Sequence, residues 1–172
     1  GLTAINAGET GFALRFGAVQ EVFASPGLHW HLPFPIDRVE LFRSGEIRGF
    51  GLGPAQPDTA ARSPVSGEIE VARTEVMVGD ENVLQIGATV HYRVADPYSY
   101  RFGVVAPERS IRFLAEASLR CMAAHRTASE ILVANRPSLE AEVVSSLQAE
   151  LDDIGAGIEV VAVNLLDIHA PA

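Results

Sequence analysis

The residues best placed for chemistry are His29 and His31, in the run PGLHWHLPFP at positions 26–35. A His-x-His pair on a strand sets both imidazoles on one face, a spacing at which two side chains can share a metal ion. A stable site needs three or four donors, and no nearby carboxylate or thiol completes the set. His91 and His169 lie far off in sequence, and His125 falls at the end of a candidate helix. The plainer reading makes the pair polar partners on a strand whose alternate positions are apolar. A metal-dependent hydrolase built on His29 and His31 is thus a remote alternative.

Other chemistry is harder still to assemble. Cys121 is the single cysteine, set among Leu119, Met122 and Ala123. It reads as a buried thiol acting as a small hydrophobe. One cysteine permits no intramolecular disulfide, which leaves the compartment open. Asp80 and Glu81, in GDEN, read as turn residues rather than an acid/base pair. The chain has no lysine, so a P-loop is excluded, and neither a dinucleotide fingerprint nor a G-x-S-x-G elbow occurs. No catalytic residue, cofactor or metal is expected.

The elements that carry these residues follow from length and pattern. A chain of 172 residues, 48% hydrophobic and 20% charged, reads as one globular domain or two small subdomains. Its net charge of −9, with all basic residues arginine and scattered, argues against nucleic acid and against holding an anionic lipid surface by charge alone. No apolar run reaches the roughly 20 residues that span a bilayer. The start, GLTAINAGET, has neither the charged end nor the apolar run of a signal peptide. The chain as given is expected to be soluble, and its opening on Gly suggests a segment of a longer protein.

Alternation predicts a strand in TGFALRFGAV, with Phe12, Leu14 and Phe16 on one face and Ala13 and Arg15 on the other. A turn at Ser25-Pro26-Gly27 leads into the histidine run, and Val39 and Leu41 are in phase in a further strand. Residues 51–67, rich in Gly, Pro, Ser and Ala, read as a loop or insertion and the best internal boundary. EIEVARTEVMV and VLQIGATVHYRV around GDEN predict a hairpin, the second strand alternating from Leu84 to Val94. Three or four helices follow. A short one starts at Asp96-Pro97. A second, from Pro107, has Ile111, Leu114, Ala115, Ser118, Leu119 and Met122 on its apolar stripe and Arg112, Glu116 and Arg120 as an ion-pair ladder. A third opens on the capping box Thr127–Glu130. The last is capped by Asn135, with Leu139, Val143, Leu147 and Leu151 inside and Glu140, Glu142, Glu150, Asp152 and Asp153 outside. Gly155 or Gly157 stops it. The closing IEVVAVNLLDIH, apolar at nearly every position, reads as a strand covered on both faces. Strands first and helices later make an α+β fold.

These stretches, in order, resemble the stomatin/prohibitin/flotillin/HflK-HflC superfamily, known as Band 7 or SPFH. GETGFALRFGAVQEVFASPGLHWHLPFPIDRVELF is similar to its opening, where a strand ends in R-F-G before a P-G-L-H turn and an apolar L-P-x-P-x-D run. EVMVGDENVLQIGATVHYRVADPYSY resembles the second block, and GDEN with HYRV favours the HflK branch. SIRFLAEASLRCMAAHRTASEIL and ELDDIGAGIEVVAVNLLDI are similar to the later helices and closing strand. The 51–67 loop is longer than the pattern leads one to expect.

The resemblance implies one SPFH domain: residues 1–50 a membrane-proximal β-rich subdomain, 51–67 a loop, and 68–170 an α+β subdomain. It also implies that a membrane helix precedes this region and a coiled-coil helix follows it. It implies a non-enzymatic scaffold on the bacterial inner membrane, facing the periplasm. Such proteins form homo- or hetero-oligomers, with an HflC-like partner subunit and an FtsH-type membrane AAA protease that they regulate. A stomatin-like lipid organiser without a protease partner is the alternative. Leu28, Trp30, Leu32 and Phe34 are the residues expected to meet the membrane surface, Trp and Phe being types enriched at bilayer interfaces. The same face could instead be core, packed on the Val39–Leu41 strand. Arg109, Arg112, Arg120, Glu150, Asp152 and Asp153 are candidates for contacts between protomers, or ordinary solvated charges.

Overall fold

The computed structural model describes residues 2–43, 45–52 and 73–170. Two small sheets lie at the N-terminal end. β1 (Leu2–Ile5) pairs antiparallel with β4 (Gly27–Trp30) as a two-stranded ribbon. β2 (Glu9–Arg15) is the centre of a three-stranded sheet, with β3 (Ala18–Phe23) and β5 (Asp37–Arg43) on its two sides. Its residues from Thr10 to Leu14 are all buried. On one face Ala13 joins Ile5 of the ribbon and Phe23 in a small cluster. On the other, Phe12 meets Tyr98 and Phe102, with ring centroids 6.4 and 5.6 Å away. The small sheet is thus clamped between the ribbon and the larger unit.

The larger unit is built on β8 (Val83–Val94), which has neighbours along both edges. β6 (Ile47–Leu52) and β7 (Arg73–Met77) lie end to end on one side, and β9 (Ile158–His169) runs along the other. Helices α1 (Pro107–Ala124), α2 (Ala128–Val133) and α3 (Arg136–Asp153) complete it, preceded by a π-helical turn at Ser99–Gly103. Leu84, Ile86, Ala88, Val90, Tyr92 and Val94 of β8 meet Ile111, Leu119, Val143 and Leu147 of the helices in one core. This is the α+β order expected from the pattern: antiparallel strands, hairpin, helices, closing strand.

Local signals set several joints. Thr127 and Glu130 make the reciprocal capping box that opens α2. α3 ends in a Schellman motif: Gly155, at φ 63°, donates to the Asp152 carbonyl, and Ala156 donates to that of Leu151. The GDEN turn docks onto the helices. Gly79 N–H donates to the Arg126 carbonyl at 2.7 Å, and the Asp80 carboxylate accepts from Ala128 N–H at 3.3 Å. A side chain at Gly79 would sit 2.7 Å from the Ala124 carbonyl oxygen, so this close approach requires glycine.

The outer edge of β9 is guarded by α3. The Gln148 side-chain amide donates to the Ile158 carbonyl at 3.1 Å and accepts from Val160 N–H at 2.8 Å. The Glu140 carboxylate accepts from Leu165 N–H at 2.8 Å. Side chains here do the work of a missing neighbour strand, leaving fewer open backbone groups on the edge.

Several expectations are corrected. β6 runs through residue 50 and pairs with β8, so the boundary drawn there cuts a strand of the large sheet. Residues 51 and 52 of the 51–67 loop end that strand; 53–67, and residues 68–72 of the expected hairpin, lie outside the described residues. Cys121 is exposed, not buried. Its sequence neighbour Met122 is on the core stripe, but adjacent helical positions point about 100° apart. Phe16 follows the end of β2 and is 89% exposed, not part of the Phe12–Leu14 face. Asn135 occupies the N-cap of α3 without a side-chain cap hydrogen bond. β9 is not covered throughout: Val161 and Leu166 have no partner on β8 and are about half exposed. Each sits at a bulge, where an extra residue breaks the alternation.

Candidate functional site

The ribbon orients its side chains in a way the pattern alone leaves open. Antiparallel register sets Leu2 opposite Trp30 and Ala4 opposite Leu28, and directly opposed residues share a face. That face points away from the protein: Leu2, Leu28 and Trp30 are 65%, 69% and 67% exposed. Phe34, beyond the strand in the Leu32–Asp37 loop, is also exposed, and Leu32 is half-buried. β4 pairs with β1 rather than β5, so the alternative of this face packed on the Val39–Leu41 strand is not what forms.

The histidines take the inner face. His29 stacks on Phe23, ring centroids 4.6 Å apart, and its Nε2 donates to the Ser25 carbonyl at 2.9 Å. His31 Nδ1 donates to the Leu32 carbonyl at 2.8 Å, and its Nε2 lies 2.9 Å from the Thr3 hydroxyl. The His29 ring thus holds the ribbon against Phe23 of the small sheet, and the His31 ring ties β1 to the chain just beyond β4. Among the described residues no group of three or more His, Cys, Asp and Glu is placed to hold a metal.

The base of the loop is pinned by a carboxylate. Asp37 faces Arg15 across β2 and β5 and receives two guanidinium hydrogen bonds, at 2.9 and 3.3 Å. It also accepts from Leu32 N–H at 3.0 Å. The Arg15 hydrogen bonds, joined by that of Leu32, hold the Asp37 carboxyl below the usual carboxylate range against the opposing effect of its burial. Pro33 and Ile36 close the turn between, with the Ile36 N–H on the Pro33 carbonyl.

The composition of this face differs from that of the chain. Residues 1–8 and 22–36 contain no Asp, Glu, Lys or Arg, in a chain whose net charge is −9. The surface joins exposed Leu, Trp and Phe with no carboxylate from its own segments. Leu2, Ala4 and Phe16 belong to this end of the molecule and were missed in the sequence. Leu-x-Ala alternation at residues 2–4 and a two-residue Phe-Gly turn were the available signals.

The residues expected between protomers scatter. Arg112 is committed within the chain, donating to the Gly51 carbonyl at 3.0 Å with its guanidinium 4.7 Å from the Phe50 ring centroid. The ladder on α1 is therefore half formed, as Arg120 with Glu116 at 3.4 Å. Of the acidic face of α3, Glu140 caps β9, Glu142 pairs with Arg126, and Asp152 accepts from Gln148. Arg109 and Asp153 are exposed, and Glu150 is half-buried.

No helix among the described residues is long and apolar enough to cross a membrane. The family model of the SPFH domain / Band 7 family matches residues 3–172. Protein HflK of Borreliella burgdorferi is 29% identical over 166 residues, 95% of this chain and 51% of that protein. The modulator of FtsH protease HflK of Escherichia coli K12 is 27% identical over 172 residues, 99% of this chain and 36% of that protein. Protein HflK of Haemophilus influenzae is 27% identical over 174 residues, again 99% and 36%. The chain therefore spans about half or less of the length of these relatives.

Proposed function

The chain belongs to the SPFH domain / Band 7 family, and on that footing we propose that it is a non-enzymatic, HflK-like membrane scaffold that regulates an FtsH-type AAA protease. The observation that carries the membrane part is the outward apolar face of the ribbon. Trp30 and Phe34 are interface-favouring residues, exposed, and set in segments free of carboxylates. Burying each large side chain of this face in lipid contributes about 1.5–3 kcal/mol. That suffices for a domain already tethered nearby. A charged partner surface would find nothing to pair with on these segments.

The protease part rests on the name of the Escherichia coli relative, a modulator of FtsH protease. The branch resemblance adds an HflC-like partner subunit, oligomeric assembly and a periplasmic orientation on the inner membrane. Arg109, Glu150 and Asp153, with Arg120 in its exposed pair with Glu116, are the charges available for contacts between protomers.

A tag on the native gene provides the test. Purification from detergent-solubilised membranes is expected to co-isolate an ATP-dependent membrane protease and an HflC-like subunit. Recovery in the membrane fraction with neither partner would replace the protease reading with a stomatin-like lipid organiser. Recovery wholly in the soluble fraction would overturn both.

A further inference from the structure

The Phe16–Gly17 turn joins β2 to β3, with Arg15 opposite Ala18 in the register. Both turn residues have positive φ, 51° and 86°, the geometry of a two-residue I′ hairpin turn. Such a turn favours Asn-Gly, and a bulky residue in the left-handed region is a genuine outlier. Phe16 is not accounted for by packing either, being 89% exposed. A strained, water-facing aromatic at a hairpin tip has no explanation within the fold.

Its position supplies one. Arg15 pairs with Asp37, and Asp37 holds Leu32 N–H, so the Phe16 tip and the Leu32–Asp37 loop share one end of the small sheet. Phe34 is 83% and Ile36 39% exposed at that same end. We propose that Phe16 is a second bilayer anchor, entering lipid beside Phe34, so that the domain docks through two separate loops. This inference rests on the bilayer reading of the Trp30 and Phe34 face. The occupant is lipid rather than a second copy because two separated aromatic tips project at one end, Phe34 within the charge-free residues 22–36 and Phe16 beside an Arg15 already paired with Asp37. An apolar slab accepts such tips without a matching pocket. Two contacts also fix the tilt of the domain, which one hairpin would leave free to rotate.

Phe16→Asn separates turn from anchor, because Asn is the better turn residue. With neutral phosphatidylcholine vesicles, the wild-type chain is expected to partition onto lipid with a blue shift of Trp30, its only tryptophan. Phe16→Asn is expected to raise Tm yet weaken partition about tenfold, the loss of one buried Phe. In a Trp30→Phe background, the Phe16→Trp indole is expected to be quenched by lipids brominated on their acyl chains. Equal partition of wild type and Phe16→Asn would overturn the Phe16 anchor while leaving the bilayer reading standing. Failure of the wild type to partition at all would overturn both. A lower Tm for Phe16→Asn would show Phe16 packed within the protein, and lipid-free dimers dissolved by the substitution would assign the tip to a second copy. Either result would sink the inference.

Discussion

Strands β4 and β8 both alternate large apolar residues with polar ones, yet they turn those faces in opposite directions. On β8 the series from Leu84 to Val94 faces a core shared with the helices. On β4 the apolar residues Leu28 and Trp30 face outward, and His29 packs inward on Phe23. β8 has neighbours on both edges and a helical layer over its apolar face. β4 has one neighbour, and the space behind it is filled by histidine rings, Thr3 and Ile5. A period of two defines two faces; what packs against them decides which is inside.

The largest effects should appear on the β8 side. Leu147 is fully buried on α3, and Leu147→Ala is expected to cost about 2–5 kcal/mol in denaturant unfolding. A smaller loss would mean that the helical layer collapses around the gap. Gly157→Ala tests the joint before β9. Gly157 is at φ 65°, its carbonyl accepts from Ala95 and Asp96 N–H, and an added Cβ would overlap the Asp96 carbonyl. The expected loss is about 2–4 kcal/mol, read as a lower unfolding midpoint.

Asp37→Asn probes the base of the outward face and should act in a pH-dependent way. The folded-state pKa is depressed, so the carboxylate stabilises the fold above its unfolded value of about 3.9, and that contribution is lost as pH falls through the folded value. The Tm gap between wild type and Asp37→Asn should be widest near neutral pH and close in acid below about pH 4. A gap that persists unchanged at low pH would remove the charge from the account.

Trp30→Ser should be the gentlest to the fold, within about 0.5 kcal/mol of wild type, since the side chain is largely exposed. It should nonetheless abolish most vesicle partition. If it destabilises the chain as Leu147→Ala does, the two strands do not differ as described.

Much of the architecture was legible in order and type. The GDEN hairpin, the Thr127–Glu130 box, the Gly155 stop and the α3 stripe each rest on contacts within a few residues, which local sequence encodes. The errors fall where distant partners intervene. The boundary at residue 50 failed because β6 belongs with β8, some 40 positions away. Arg112 reads in the sequence as a candidate for contact between protomers or as a solvated charge, yet the Gly51 carbonyl and Phe50 ring lie beneath it. Val161 and Leu166 passed for interior because bulges are set by pairing, not by composition.

By itself, then, the sequence determined the α+β order, the family resemblance and the existence of an apolar face around Trp30. Those follow from residue type and period. Only the tertiary structure decided that this face turns outward, that the histidines brace it from behind, and that Phe16 stands at the same end as Phe34. Each of these depends on register between strands far apart in the chain. A local pattern offers the faces, and long-range pairing chooses among them.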